Sequence, residues 1–484
     1  MKLLLIQPKA EGTLLGQVSR GGKAGLIRLS LPVVAALTPP DVDVKIIDSR
    51  IQEIPYDDPV NLVGISVLTA EAPSAYRIAA KFREKDIKVV LGGYHPTLMP
   101  DEAMQHCDAV VVGEAEPVWA QLIEDFRNDR LQRRYPAEGI GRCASGEQIA
   151  KPRRDLLDSS RYTGFNSVQA TRGCTHNCAF CSVRAFHEGF SKRPVPSVVQ
   201  EIRELVQETR RRDILVRFHL TKPHISFVDD NITADRKYAL ELFDAIAPLG
   251  ITWDTQAESG MGLDRELLEA AARSGCIWVS VGFETASPHS RQFLHKLRGR
   301  GLDGRLEDQF EEEVKRFHAH GINVLGNFIF GLAFAGQETQ DTVEVFDRTL
   351  DLTADIGLDA VLFHVLTPYP GTRMRKRLEQ ENRVMTNEWE HYNCSEVVSI
   401  PDKMTPEDLQ RGLFHAYSQF YSFWRGIRRA FVPRRGIVSR LAMHFSMRRK
   451  LKRVCAKHIS ASAPWTEDLR KHWNDYLRRV GERT

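Results

Sequence analysis

The chain has 484 residues, 67 Lys or Arg against 63 Asp or Glu, and a formal net charge of +4. This length accommodates two or three domains with their own cores, and a composition 42% hydrophobic and 27% charged is that of a globular protein. No apolar run approaches the ~20 residues of a bilayer-spanning helix. Eight cysteines in so large a chain argue against a disulfide framework, so a reducing, cytoplasmic setting is expected.

The first residues, Met1 to Pro8, are apolar over too short a stretch for a signal peptide and read as a buried strand. Residues 1–127 alternate strand and helix patterns: strands at 2–6, 43–48, 61–66, 88–92 and 109–112, helices at 72–84 and 115–127. Strands separated by helices predict βαβ units and a doubly wound parallel sheet, whose ligands bind at the carboxyl ends of the strands. Residues 128–165 are polar and Arg-rich and read as a linker. Residues 166–372 resume the alternation. Strands are predicted at 167–171, 225–229, 252–256, 277–282, 323–329 and 360–366, with helices at 197–210, 264–274, 306–319 and 338–352. Six βα repeats predict an open, partial (βα)6 TIM-like barrel with its chemistry on the loops that follow the strands. Residues 373–484 form a helical, basic C-terminal region. The fold class is therefore α/β with a helical tail.

The loop after the first barrel strand reads Cys174-Thr-His-Asn-Cys178-Ala-Phe-Cys181. Three thiolates at this spacing can hold three irons of a [4Fe–4S] cube and leave the fourth iron open. The competing reading is structural zinc, completed by His176 or His187. It ranks lower because no second Cys or His knuckle is present. The segment resembles the CxxxCxxC loop of the radical S-adenosylmethionine (SAM) superfamily. That resemblance implies that Cys174, Cys178 and Cys181 ligate the cluster and that Phe180 packs near the adenine of SAM. It implies that Asp229 or Asp230, in Phe227-Val-Asp-Asp-Asn231, meets the SAM ammonium group, the two acids not being distinguished. Glu284, in Val281-Gly-Phe-Glu-Thr285, is implied at the SAM ribose or the strand end, with Gln256 a weaker SAM or substrate candidate. A flavodoxin or ferredoxin is the implied electron donor.

In the N-terminal part, Ser66, Leu68 and Thr69 end one strand, Gly92 and Gly93 the next, and Gly113 and Glu114 the last. Small residues at strand ends let the backbone approach a ligand closely. The spacing from Ser-x-Leu to Gly-Gly resembles the cobalamin-binding Rossmann-like domain. The pattern over residues 1–372 resembles the cobalamin-binding class of radical SAM enzymes, which contains C-methyltransferases and an anaerobic oxidative cyclase. In many such domains a histidine replaces the lower cobalt ligand. The corresponding stretch here, Val18 to Gly25, has none, so cobalt without a protein imidazole is expected. His95 lies in another loop and is not promoted to a ligand.

The expected function is cobalamin-dependent C-methylation of a small-molecule or lipid-like substrate, with a cyclising or rearranging enzyme as the alternative. A tRNA methylthiotransferase-like enzyme ranks below both, because residues 1–127 contain only Cys107 where a second cluster would need three cysteines. From Leu409 to Thr466 there is no Asp or Glu. Residues 411–457 mix thirteen Lys or Arg with Phe414, Tyr417, Phe420, Tyr421, Phe423, Trp424, Phe431 and Phe445. This stretch reads as a helical cap or as a peripheral membrane contact for anionic lipid, with a nucleic-acid surface the weakest reading.

Overall fold

A computed structural model describes residues 1–10, 23–136, 144–286, 306–332, 342–430, 440–449, 470–475 and 478. They divide into two compact units. One comprises Met1–Thr175, Cys181–Asp230 and Tyr369–Thr372; the other comprises His176–Phe180, Asn231–Pro368 and Arg373–Thr484. The division falls after Asp230, inside the stretch read as a barrel, and not at residue 165.

In the first unit the strands in chain order are β1 (Lys2–Gln7), β2 (Ala24–Leu26), β3 (Asp43–Asp48), β4 (Leu62–Ser66), β5 (Lys88–Gly92), β6 (Ala109–Val111), β7 (Arg134–Tyr135), β8 (Tyr162–Gly164), β9 (Ser167–Val168), β10 (Thr171–Arg172), β11 (Ser191–Lys192) and β12 (His224–Phe227). Six of them form one parallel sheet in the order β3-β1-β4-β5-β6-β7. Apolar runs such as Leu3–Ile6 and Val89–Leu91 are buried, as expected of strands covered on both faces. Helices Ser30–Leu37, Ala72–Arg83 and Trp119–Arg127 connect them. The strand order reverses between β1 and β4, and such a switch point opens a crevice at the carboxyl ends.

Residues 128–165 are more than a linker. Arg134 and Tyr135 add the edge strand β7 to the sheet, and β8 pairs in parallel with β2. The predicted helix 115–127 begins only at Trp119, because Pro117 disfavours helical geometry in the residue before it. The predicted strand 167–171 splits into β9 and β10. The main-chain amides of Ala170 and Thr171 donate to the Asp229 carboxylate instead of to a neighbouring strand. β9 pairs with β12, and β10 with β11.

In the second unit β13 (Thr252–Ala257), β14 (Cys276–Glu284), β15 (Asn323–Phe330) and β16 (Ala360–Val365) run parallel in register. Helices Arg265–Ser274, Leu306–Ala319 and Val345–Asp355 alternate with them. The start of the predicted helix 338–352 lies outside the described residues. Among the described residues, β9, β12 and β13 to β16 occupy the positions of the six predicted strands.

The basic C-terminal stretch divides in two. Helix Pro406–Phe420, with Thr405 as its N-cap, lies along the edge strand β16. Tyr417 Oη bonds the main chain of Phe363 (to N 3.0 Å, to O 2.8 Å), and Tyr421 Oη bonds that of Val361 (to N 3.1 Å, to O 2.7 Å). Alternate residues of an edge strand present unpaired main-chain groups on the same side, and two tyrosines four residues apart satisfy them. Tyr417, Phe420 and Tyr421 are therefore core, and Arg429 lies 3.7 Å over the Phe420 ring. Phe423, Trp424 and Phe445 are exposed. Phe431 and most of the basic residues beyond it lie outside the described residues. No helix among the described residues is long and apolar enough to cross a membrane.

Candidate functional site

A cavity of about 620 Å³ opens at the carboxyl ends of β1, β4, β5 and β6, within the first unit. Its wall contains Ser66, Leu68, Gly92, Gly93, Gly113 and Glu114. Six of the seven residues singled out by sequence in this domain are thus brought together. The seventh, Thr69, is buried in the turn Thr69–Glu71. Close main-chain approach is built in at Gly93. Its φ is +97°, and a Cβ there would sit 2.9 Å from Val67 N. Polar groups on the wall include Gln7, Arg28 and Ser30. Arg28 bonds Glu71 (2.6 Å), which also accepts from Leu68 N (3.1 Å) and so braces the β4 loop.

The opposite wall comes from Gln169, Arg172, Phe186, His187, Val228 and Asp230. Glu114 is the hub. Its carboxylate accepts from His187 Nδ1 (2.5 Å), Ala144 N (2.7 Å) and Arg172 Nη1 (3.3 Å), and Arg172 also pairs with Glu116 (2.6 Å). Burial pushes the Glu114 carboxyl up, but His187 and Arg172 outweigh it, and it settles below the usual range. Burial opposes the charge on Arg172, and Glu116 and Glu114 more than compensate. Tyr94 stacks on Phe186 at 4.2 Å and meets the His187 ring edge-on, and burial drives its hydroxyl well above the ordinary value. By sequence His187 is only a candidate zinc ligand. It sits instead on the cavity wall, oriented by an acid 73 residues away in the chain. His95 is buried elsewhere, against Tyr76 and Glu102.

The structure separates the two adjacent acids. Asp229 is fully buried. It accepts from Thr171 N (2.5 Å), Thr171 Oγ1 (2.7 Å) and Ala170 N (3.2 Å), so its carboxylate is committed to the main chain ahead of the cysteine loop. Burial lifts its pKa to about 6 despite these bonds. Asp230 lies on the cavity wall, accepts from Gly173 N (3.1 Å) and stands 3.9 Å from His187 Nε2. Burial raises its pKa, with the charge of His187 working the other way.

Gly173 opens the cysteine loop with φ +78°, where a Cβ would strike Gly189 O at 2.3 Å. Cys174 and Cys181 are half-buried, Cys178 is buried, and none is in a disulfide. Three reduced thiols in one eight-residue loop are the donor set an iron–sulfur cube requires. In the second unit Phe180 packs with Leu332, Leu366, Met374 and Leu378. Gln256 is exposed near the end of β13. Two residues on, Glu258 pairs with His176 of the cysteine loop, a contact that no sequence spacing signals. Glu284 ends β14 at φ +65°, beside a register shift against β15. Such backbone is costly for a residue other than glycine and concentrates at functional sites.

Family comparison gives two matches: the B12 binding domain over residues 31–123, and the radical SAM superfamily over residues 168–349. The chain is 30% identical over 427 residues to bacteriochlorophyllide d C-12(1)-methyltransferase of Chlorobaculum tepidum, covering 87% of each protein. It is 26% identical to bacteriochlorophyllide d C-8(2)-methyltransferase of the same organism, over 90% of this chain and 94% of that one. Hopanoid C-2 methylase of Rhodopseudomonas palustris is 24% identical, over 73% of this chain and 64% of that one. Among solved structures, the radical SAM methyltransferase TsrM from Kitasatospora setae, with cobalamin and a [4Fe–4S] cluster bound, superposes with a TM-score of 0.59. It shares 17% identity, over 79% of this chain and 78% of that one, a likeness of fold.

Proposed function

This chain belongs to the cobalamin-dependent radical SAM methyltransferases, and we propose that it methylates an unactivated carbon of a large, apolar small molecule of the tetrapyrrole or terpenoid-lipid kind. The cofactors of the family are a [4Fe–4S] cluster, SAM and cobalamin. When bound, the cluster supplies one electron for homolytic cleavage of a SAM C–S bond, and cobalamin carries the methyl group.

The observation that carries the reading is the cavity at the β1/β4 switch point of the sheet matched by the B12 binding domain, with Asp230 and the cysteine-loop neighbour Arg172 on its wall. Its apolar side (Leu5, Leu31, Val34, Val90, Val111) suits a flat macrocycle, and Gln7, Arg28 and Ser66 offer hydrogen bonds to amide or phosphate groups. Cys174, Cys178 and Cys181 would hold the cluster. The Asp229 clamp fixes the chain entering their loop. Phe180 supplies an apolar face for an adenine, and Glu284 a carboxylate at a strand end.

Two named relatives act on bacteriochlorophyllides and one on hopanoids, and substrates of that class partition into membranes. Phe423, Trp424 and Phe445 beside Arg425, Arg428 and Arg449 support peripheral contact with anionic lipid. Exposed Ile214, Leu215, Phe218 and Leu220, which follow Arg210, Arg211 and Arg212, support it too. A flavodoxin or ferredoxin would provide the electron.

The test is anaerobic purification with added hydroxocobalamin, cluster reconstitution, and incubation with methyl-deuterated SAM and chlorin-type or hopanoid-type acceptors. Bound corrin, 5′-deoxyadenosine and a deuterated-methyl mass increase in the acceptor are expected. Absence of bound corrin, or 5′-deoxyadenosine without any methylated acceptor across both classes, rejects the proposal.

A further inference from the structure

Away from the cysteine loop, the second unit gathers Glu388, His391 and His472, whose ligand-capable atoms all lie within 4.8 Å of one another. Glu388 caps and His391 ends the single turn Trp389–His391. His472 lies on the helical segment described over residues 470–475.

The Nε2 atoms of His391 and His472 stand 3.4 and 3.5 Å from the same Glu388 Oε2. These distances are long for charge-assisted hydrogen bonds, which run near ~2.7–2.9 Å. They match the edges of a coordination tetrahedron, since zinc–ligand arms of ~2.0–2.1 Å place neighbouring donors about 3.3–3.4 Å apart. The third edge, between the two imidazoles, is no longer than 4.8 Å.

A second observation points the same way. His391 Nδ1 donates to Glu396 Oε2 at 2.5 Å. This bond turns the ring so that Nε2, the metal-binding nitrogen, faces Glu388 and His472. A carboxylate behind a ligating imidazole is the outer-shell arrangement that fixes the tautomer and raises the basicity of zinc histidines. The imidazoles are 15% and 11% exposed and Glu388 is 53% exposed, so two donors are held in place and one side of the site admits water.

We propose that Glu388, His391 and His472 form a site for one divalent zinc-class ion, with water as the fourth ligand. The site ties the C-terminal helical segment to the turn at 389–391. The Arg470–Glu407 pair (3.6 Å) is a second tie on the same segment, but an exposed pair holds it weakly. The donor set is nitrogen and oxygen, which suits zinc and is distinct from the three thiolates of the cluster loop. The site stands whatever the acceptor of the methyl group.

The experiment uses full-length protein with its iron–sulfur cluster reconstituted, so that the loop thiols are occupied. Zinc chloride is titrated anaerobically against a chromophoric chelator, and retained zinc and iron are counted after desalting. Wild type is expected to keep about one zinc per chain. His391→Ala and His472→Ala should abolish it with iron content unchanged, and Glu396→Gln should weaken zinc binding 10–100-fold. Zinc should also slow proteolytic release of the C-terminal segment in wild type and do so less in Glu396→Gln. No zinc binding by wild type, or equal retention by wild type and both histidine variants, overturns the proposal. If a histidine variant fails to fold, Glu396→Gln decides, since it keeps all three ligands: zinc affinity equal to wild type overturns the proposal.

Discussion

Asp229 offers the sharpest test of the site's construction, because family resemblance and the structure give it different roles. Its carboxylate accepts from two main-chain amides and one hydroxyl, all buried. Asp229→Ala strips acceptors from the amides of Ala170 and Thr171. At about 1–3 kcal/mol for each buried donor left unsatisfied, the loss is roughly 2–6 kcal/mol. Asp229→Asn keeps one acceptor oxygen and should cost about 1–3 kcal/mol. The pH dependence has a defined sign. The pKa rises from 3.8 unfolded to about 6 in the fold. Wild-type stability from this group is therefore full below about pH 4 and declines to about pH 6. The span is about 3 kcal/mol. Urea denaturation of wild type and Asp229→Asn at pH 4.5 and pH 7.5, using holoprotein prepared anaerobically, reads this directly. The stability gap between the two should narrow as pH rises, since only the wild type carries the titrating group. Asp230→Asn should leave stability within about 1 kcal/mol and instead weaken binding at the cavity. If Asp229→Ala unfolds at the wild-type midpoint while SAM affinity collapses, the main-chain clamp is refuted and the acid is a SAM ligand.

Removing a thiol, as in Cys178→Ala, should abolish the visible iron–sulfur absorption, and full retention of iron in metal analysis would disprove the ligand assignment. Arg172→Met removes the arginine partner of Glu116 and one of the three partners of Glu114 and should cost about 3–5 kcal/mol in denaturant unfolding, with corrin binding lost in parallel. Gly93→Ala must accept φ +97° and a Cβ 2.9 Å from Val67 N. It should lower stability by about 1–2 kcal/mol and reduce bound corrin after purification; unchanged corrin content would remove Gly93 from the contact surface. Tyr417→Phe leaves the Phe363 main chain without its hydroxyl partner and should cost about 1–3 kcal/mol, measured by urea midpoint.

Long-range pairing marks where the chain stops being readable. β3 and β5 match their predicted limits, 43–48 and 88–92, since an apolar run between polar residues specifies a strand without outside help. β7 and β8 were invisible because two or three residues in an Arg-rich stretch carry no period. They exist only because β6 and β2 offer main-chain groups to pair with. The same limit governs the site. Cys174, Cys178 and Cys181 are legible because their chemistry lies within one loop. Asp229 and Asp230 were not separable, because consecutive residues at a strand end point to opposite sides, and which side meets the main chain of Thr171 and which the cavity is decided 58 residues away. His187 is the extreme case. Nothing beside it in the sequence marks it, and Glu114 places it. An acid in the loop after β6 thus orients a histidine that follows the short helix Val183–Phe186. The pair is therefore the first to mutate after the cysteines: Glu114→Gln keeps the shape but removes the charge, so weaker corrin binding with unaltered fold would trace binding at the cavity to the Glu114 carboxylate and its three partners, and unchanged corrin binding would remove it from that role.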